Sequence, residues 1–173
     1  MSIVDRIVAE GRYHRRLKVL QNELKPARER GKVGCCKSGF CCWQRPCELA
    51  PEDVPRIAAH LEVTPQALFE DWLVVDELAN GLALLPRRRG QQGGRYLSAD
   101  ETWDISSPCV FLTSENLCEI HPVKPAGGRA FECWNPSTYT THTPGTTWKS
   151  EDLKALGWDG VTEEAYEWDG VAY

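Results

Sequence analysis

The segment at residues 35–47, CCKSGFCCWQRPC, constrains this chain most, because it holds five of the eight cysteines within thirteen residues. The other three are Cys109, Cys118 and Cys133. Thiolates are soft ligands for zinc, copper(I) and iron–sulfur clusters, so thiols from distant segments can converge on one site. A single cysteine is also common as a small buried apolar residue. Five together, among glycines and a proline, favour a metal-ligand loop.

The compartment follows from the same cysteines and from the start of the chain. The first residues lack the unbroken apolar segment of a signal peptide, and no stretch approaches membrane-spanning length. We therefore expect a cytoplasmic location and no membrane partner, with thiols serving metal or redox chemistry more often than disulfides. Adjacent cysteines also rarely bridge each other, because the disulfide geometry strains the backbone between them.

Length and charge indicate a soluble globular chain with an uneven charge distribution. At 173 residues, 42% of them hydrophobic, one ordinary domain is the default. Residues 1–50 carry eleven Lys and Arg against five Asp and Glu, a net charge of +6, and residues 51–173 carry −11. The basic part would suit nucleic acid or an acidic partner, but the solvated face of a helix is the simpler interpretation.

Three helices are predicted before residue 75. Apolar residues recur at helical spacing over residues 3–24, and Pro26 ends or kinks this first helix. A second helix opens at Pro51, and a third opens with Thr64 as N-cap and Pro65 as its first residue. The last two resemble the first two helices of a helix-turn-helix DNA reader. The third helix offers no Arg or Lys to DNA, so we expect both to brace the cysteine loop and expect no nucleic-acid partner.

Short strands are predicted after residue 80. Residues 82–85 and 96–97 are typical of strands on either side of a glycine-rich turn at residues 90–94. The basic run at residues 87–89 either grips an anion or is a solvated loop. Helices first and strands later predict a small single-domain α+β fold, with irregular loops around a multi-cysteine metal site.

A second hairpin is predicted around two of the late cysteines. Residues 108–112 are typical of a buried strand, and residues 114–116 of the turn that follows it. The chain then returns through Cys118. Such a hairpin would bring Cys109 and Cys118 close together, as two ligands of one site require.

The C-terminal part carries the motif WDGV at residues 158–161 and again at residues 168–171. Two copies are too few for a solenoid or propeller, so they are either aromatic-anchored turns or a partner-binding tail. We divide the chain into an N-terminal amphipathic helix (1–33), a cysteine-cluster metal-binding domain (34–135) and a C-terminal tail (136–173). A protein partner, if any, is expected at the N-terminal helix or at the C-terminal tail.

The cysteine spacing, the helices after it and the run CVFL…CEIH…KP…GR.FEC together resemble a known family. This is the CxxCxxCC zinc- or iron-chelating domain family, also called YkgJ-like cysteine cluster proteins and related to the flagellin lysine N-methylases. The resemblance covers roughly residues 34–134. It implies metal ligation by six matching cysteines, which are Cys35, Cys41, Cys42, Cys109, Cys118 and Cys133.

Three positions depart from the family pattern. Ser38 occupies the place of the second family cysteine, Gly128 that of a cysteine before the arginine, and His121 that of a tyrosine. Cys36 is a candidate substitute for the thiol missing at Ser38, and we include it among the predicted metal ligands. His121 could supply a nitrogen ligand. Cys47 lies outside the pattern.

The predicted ligand set fits two kinds of metal centre. Four thiolates satisfy a tetrahedral Zn²⁺ ion or a [4Fe–4S] cluster, and the absence of paired CxxC knuckles favours the cluster slightly. The leading hypothesis is a cytosolic metal- or iron–sulfur-binding cysteine cluster protein, for which the family resemblance implies redox or methyl-transfer chemistry. The alternative is a non-catalytic, zinc-stabilised module that binds protein or nucleic acid. No catalytic residue is assigned, because no GxSxG elbow, HExxH helix or P-loop is present.

Overall fold

The structure is a computed structural model that describes residues 39–44, 46–78, 81–98, 101–102, 104–130 and 148–160, and helical residues 8, 11–12, 14–16, 18–19 and 22. In chain order the bounded elements are α1 (Phe40–Gln44), α2 (Asp53–His60), α3 (Pro65–Trp72), β1 (Leu73–Leu78), β2 (Gly81–Pro86), a 3₁₀ helix (His121–Val123), α4 (Ala126–Ala130) and α5 (Ser150–Ala155). Helices and a two-stranded antiparallel sheet in one small chain confirm the predicted α+β class.

Helices α2 and α3 form where the sequence predicts them. The Thr64 side chain accepts a hydrogen bond from the Ala67 backbone N–H at 3.1 Å, which satisfies one of the free donors at the start of α3. The apolar face of α2 is buried, and so are Leu68 and Phe69 of α3. At the end of α2, His60 Nε2 lies 3.1 Å from the carbonyl oxygen of Glu119, so this helix contacts the segment that carries Cys118.

The sheet differs from the predicted pairing. Strand β2 pairs antiparallel with β1, with Leu84 opposite Val75, and β1 was not predicted. Tyr96, the predicted partner of β2, instead forms a single parallel bridge with Val75 on the other side of β1. Leu73 follows α3 without a turn, and the first three residues of β1 are fully buried. A short apolar run directly after a helix has no alternation that marks it as a strand.

One hydrophobic core joins the early helices to the C-terminal residues. Its buried members include Phe69, Leu84 and Phe111, and it also contains Trp148 and Trp158. Trp148 donates its indole N–H to the Leu49 carbonyl at 2.7 Å and its backbone N–H to the Leu82 carbonyl at 2.9 Å. Trp158, the first residue of the first WDGV copy, is buried in the same core. The second copy lies outside the described residues.

An ion pair closes the loop beyond Tyr96. Arg95 Nη1 donates to Glu101 Oε2 at 2.9 Å, and the Ser98 backbone N–H and hydroxyl donate to the same oxygen at 3.0 and 2.9 Å. The hydrogen bond from Arg95, together with those from Ser98, lowers the pKa of Glu101 to about 2. The loop thereby holds Tyr96 beside β1. Separately, no helix in the described part of the chain has the length and apolar character needed to cross a membrane.

Candidate metal centre

Cys41 and Cys42 lie in the one-turn helix α1, whereas an irregular loop was predicted for this stretch. Gly39 begins the turn with φ of +69°, and its carbonyl accepts from the Cys42 N–H at 2.9 Å. A Cβ at Gly39 would lie 3.2 Å from a methyl carbon of Leu112. Glycine adopts this left-handed backbone without strain and leaves room for the neighbouring segment. The turn at Gly39 starts a helix instead of a loop, so the loop prediction is wrong for residues 40–44.

A buried arginine connects the end of α1 to the segment that leads to Cys109. Arg88 is 4% exposed. Its Nη2 donates to the Gln44 carbonyl at 2.9 Å, and its Nη1 donates to Ser107 O at 2.9 Å and Trp43 O at 3.2 Å. The last carbonyls of a helix lack partners within it, and a cation there interacts favourably with the helix dipole. Arg88 therefore caps α1 and ties it to the Cys109 segment.

The neighbouring arginines also bind the backbone. Arg87 Nε donates to the Asp71 carbonyl at 2.6 Å, and Arg89 Nη2 donates to the Leu112 carbonyl. For this run the sequence left an anion grip and a solvated loop as alternatives. The structure gives these guanidinium groups a third role, which is to hold chain segments around the cysteines.

Cys109 is joined to Cys42 by the backbone. The Cys109 N–H donates to the Cys42 carbonyl at 2.7 Å, and Cys109 forms an isolated antiparallel bridge with Arg88. The strand predicted for residues 108–112 is reduced to such isolated bridges. The predicted return is present, because Leu112 pairs antiparallel with Cys118 after a turn in which Asn116 has φ of +59°. The segments of α1, Cys109 and Cys118 therefore meet.

Three other thiols, those of Cys41, Cys109 and Cys118, cluster around that of Cys42. The Sγ atoms of Cys41 and Cys42 are 3.9 Å apart, and the thiols of Cys109 and Cys118 lie close enough to that of Cys42 to influence its pKa. These cysteines and Cys47 are all free of disulfides. Within the described residues, however, no three His, Cys, Asp or Glu side chains are arranged to hold a metal ion. The thiols are neighbours but not a closed ligand shell.

The thiols differ in acidity. A hydrogen bond with Cys42 is the main reason that the pKa of Cys41 falls to about 6, and the charge of Lys124 lowers it further against the effect of burial. The same two influences lower the pKa of Cys118. Hydrogen bonds to Cys109, Cys118 and Cys41, followed by burial, raise the pKa of Cys42. Metal ligation requires thiolates, so the lowered pKa values favour Cys41 and Cys118 as ligands, whereas the raised pKa of Cys42 opposes its ionisation in the absence of a metal ion.

The remaining predicted ligands are placed as follows. Cys35, Cys36 and Cys133 lie outside the described residues. The side chain of His121 is exposed, and its pKa is lowered by partial burial and by the charge of Lys124. Cys47, which the sequence left outside the ligand set, has a pKa raised mainly by burial and then by the charges of Cys41 and Cys109. In the sequence, only the place of Cys47 in the thirteen-residue cysteine stretch linked it to the other thiols.

The surroundings suit a metal that prefers sulfur. Phe111, Leu112 and Ile120 are buried next to Cys109 or Cys118 in sequence, and belong to the same core as Cys42. Lys124 contributes positive charge that favours thiolates. Soft donors in an apolar shell fit zinc or iron, because softness and dryness of the site select such metals over oxygen-preferring ones. Fold and site together define an α+β protein with a multi-segment thiol centre.

Comparison with known families identifies the group to which this centre belongs. The CxxCxxCC family model, described as "Putative zinc- or iron-chelating domain", matches residues 34–150. The match covers well over half of the chain, and the protein belongs to this family. Membership supports metal binding and is consistent with either zinc or iron. No curated protein and no solved structure is significantly similar to the chain.

Proposed function

We propose that this protein binds a single Zn²⁺ ion through the thiolates of Cys41, Cys42, Cys109 and Cys118. The observation that carries this proposal is the 3.9 Å separation of the Cys41 and Cys42 sulfurs. In a tetrahedral site with Zn–S bonds of about 2.3 Å, two ligand sulfurs lie about 3.8 Å apart. This pair of neighbouring thiols therefore already has the spacing of two ligands of one ion.

The other two thiols would have to move closer to this pair to complete the set, because no three potential ligands of the described residues are arranged around a common point. Cys109 and Cys118 both influence the pKa of the Cys42 thiol, the Cys109 N–H donates to the Cys42 carbonyl at 2.7 Å, and four sulfurs satisfy tetrahedral zinc. Loss of the thiol protons would convert this group into four anionic ligands. The proposal assigns the metal a structural role, because the ion would join three chain segments and its binding energy would add to folding energy.

An iron–sulfur cluster is the second candidate. The observation that favours it is the dry environment, since Phe111 and Ile120 are 1% and 3% exposed and Cys109 is 5% exposed. Burial tunes the potential of such clusters. In a [4Fe–4S] cluster each cysteine binds a different iron, so two adjacent ligands would have to separate beyond their present spacing. The short Cys41–Cys42 distance therefore supports the single ion more directly.

A non-catalytic role agrees with the described residues that surround the thiols. The arginines at positions 87–89 bind backbone carbonyls, and the one described histidine near the cluster in sequence, His121, is exposed. A zinc-stabilised interaction module is thus the functional class that we propose, with a cytoplasmic location. Electron transfer at this site would require the cluster, because Zn²⁺ has no redox chemistry.

The test begins with protein purified without oxygen, followed by elemental analysis and a visible spectrum of the same sample. About one equivalent of zinc in a colourless sample supports the proposal. Iron with matching sulfide and a broad band near ~400 nm would replace it with the cluster. A sample that contains neither zinc nor iron would overturn both candidates.

Two substitutions then test the shared site. Cys42→Ser and Cys118→Ser should each lose most of the bound metal, because each removes a ligand from a different segment. Ser114→Ala, an exposed position in the turn before Cys118, is the matched control and should keep its metal. Full retention of metal by both cysteine variants would contradict a single shared site.

A further inference from the structure

We propose that this protein forms a dimer in which the basic face of the N-terminal helix of one copy docks on the acidic hairpin of residues 113–119 of a second copy. The inference rests on the interaction role proposed above and names its partner, a second copy of this chain. It does not depend on which metal the thiols bind. It starts from the large apolar side chains that the described part of the chain leaves exposed.

Two of these side chains lie on one side of the N-terminal helix. Every described residue between positions 8 and 22 is helical, and Val8 and Val19 are 43% and 45% exposed. They are eleven residues apart, which is about three turns of an α-helix, so they face the same way. A Cβ at Gly11, between them along the helix, would meet no atom within 4 Å. In the described part of the chain, no other segment therefore covers this stretch of the helix.

Cations surround the two valines. The exposed helical positions carry Arg12, Arg15, Arg16 and Lys18, and none of the described residues from 8 to 22 is acidic. Within the described part of the chain these four side chains form no ion pair. A solvated helix face explains the cations alone. Apolar anchors spaced along the same side are typical of a helix that lies against a partner.

The hairpin presents the opposite chemistry. Leu117 is the third exposed large apolar side chain among the described residues, and Glu115 and Glu119 beside it are exposed. The Leu117 N–H donates to the Thr113 hydroxyl at 3.1 Å, and the Leu117 carbonyl accepts from the Thr113 N–H at 2.8 Å. These bonds fix the backbone of Leu117 while its side chain faces solvent. The result is a preformed patch with an apolar centre and a negative rim, and preformed surfaces lose little entropy on binding.

Charge complementarity identifies the second copy as the partner. The helix face is apolar and positive, the hairpin is apolar and negative, and among the described residues neither surface has its charges paired. Between two copies, the helix of each can meet the hairpin of the other, and this reciprocal contact closes a twofold dimer. One helix face against one hairpin is a small interface, so we expect a weak dimer that depends on salt.

Sedimentation velocity of the full-length chain tests the dimer. A reductant is present throughout, so that copies linked by disulfides are excluded. The dimer should be populated at about 0.01 M salt, where the Debye length is about 30 Å. It should be weakened by about tenfold or more at about 1 M salt, where the Debye length is about 3 Å. A chain that is monomeric at both salt concentrations would overturn the inference.

Charge reversal makes the test specific. Arg12→Glu/Arg15→Glu and Glu115→Lys/Glu119→Lys should each weaken self-association by about tenfold or more, because like charges then face each other. Mixed in equal amounts, the two variants should form a heterodimer. The acidic helix of the first then meets the basic hairpin of the second, and the basic helix of the second meets the acidic hairpin of the first.

Lys149→Glu/Lys154→Glu is the matched control. Both lysines are exposed and lie outside the two surfaces, and the change in net charge equals that of the double arginine variant. This control should keep its dimer at low salt. If it loses the dimer to the same extent, or if the mixed variants stay monomeric, the docking is refuted.

The outcomes separate this inference from the proposal beneath it. A zinc-bound chain that stays monomeric would overturn the dimer and leave the metal site standing. A salt-sensitive dimer in a chain that purifies without zinc or iron would support the docking and overturn the metal proposal. Charge reversals that change the stability of a chain that stays monomeric would place the contact within one copy, and would overturn the second copy as the partner.

Discussion

Replacing Arg88 is the sharpest test of how the thiol segments are held together. Its guanidinium donates to the carbonyls of Trp43, Gln44 and Ser107, and it is almost fully buried. The first two acceptors end the helix that carries Cys41 and Cys42, and Ser107 lies two residues before Cys109. A single side chain thus connects two of the three segments of the metal centre.

The magnitude follows from the contacts. Hydrogen bonds to charged groups contribute about 1.5–3 kcal/mol each, and a buried carbonyl left without a partner costs about 1–3 kcal/mol. Part of this gain is offset by the cost of burying the charge of Arg88, so the contributions do not simply add. We expect Arg88→Met to lower the free energy of unfolding by about 3–5 kcal/mol. Arg88→Lys should recover less than half of this, because one ammonium cannot reach three carbonyls as a planar guanidinium does.

Urea unfolding of metal-loaded and chelator-treated protein measures this effect. The decrease in the free energy of unfolding of the chelator-treated protein isolates the contribution of Arg88 to the fold. Any additional decrease in the metal-loaded protein reports weaker metal binding, because a ligand that binds the folded state stabilises it. Arg89→Met is the matched control, since Arg89 is the adjacent arginine, is exposed, and bonds to one carbonyl. It should cost about 0.5–1.5 kcal/mol, because solvent can replace a single hydrogen bond of an exposed guanidinium. If Arg88→Met were no more destabilising than Arg89→Met, the proposed cap would be refuted.

Two further predictions concern the backbone and the ion pair. Gly93→Ala should destabilise the fold by about 1–3 kcal/mol or more in urea unfolding, because its Cβ would lie 2.4 Å from the Glu70 carbonyl oxygen; equal stability of Gly93→Ala and Gly11→Ala would contradict this close approach. Glu101→Gln should remove about 0.5–1 kcal/mol of stability. Because folding lowers the pKa of Glu101, this contribution is full above pH 4.5 and is lost as the pH falls towards about 2. Identical stability profiles of wild type and Glu101→Gln between these pH values would disprove it.

Helices α2 and α3 could be predicted from the sequence because their signals are local. Thr64 and Pro65 mark the start of α3 within two residues, and the buried side of α2 repeats at helical spacing. The cysteine-rich stretch likewise predicted the family and the nature of the donor atoms. These properties depend on residue type and on neighbours a few positions away, so no knowledge of distant contacts was needed.

Strand β1 and the role of Arg88 could not be predicted in the same way. A short apolar run directly after a helix is ambiguous until its partner strand is known, and β1 is defined by pairing with β2. Arg88 belongs to a run of three arginines that looks solvent-exposed in sequence. Its burial depends on carbonyls that are 19 to 45 residues away along the chain.

The sequence by itself predicted a multi-thiol metal site, because softness and number of ligands are properties of composition, and family membership supports metal binding. Only the tertiary structure decided which thiols are neighbours, since Cys42 meets Cys109 and Cys118 through a turn and isolated bridges between distant segments. The close approach of Cys47 to Gly128 was likewise decided by the tertiary structure, because these residues are far apart in the sequence. An absent side chain carries no chemical signal in a sequence, and its meaning appears only when another residue fills the space.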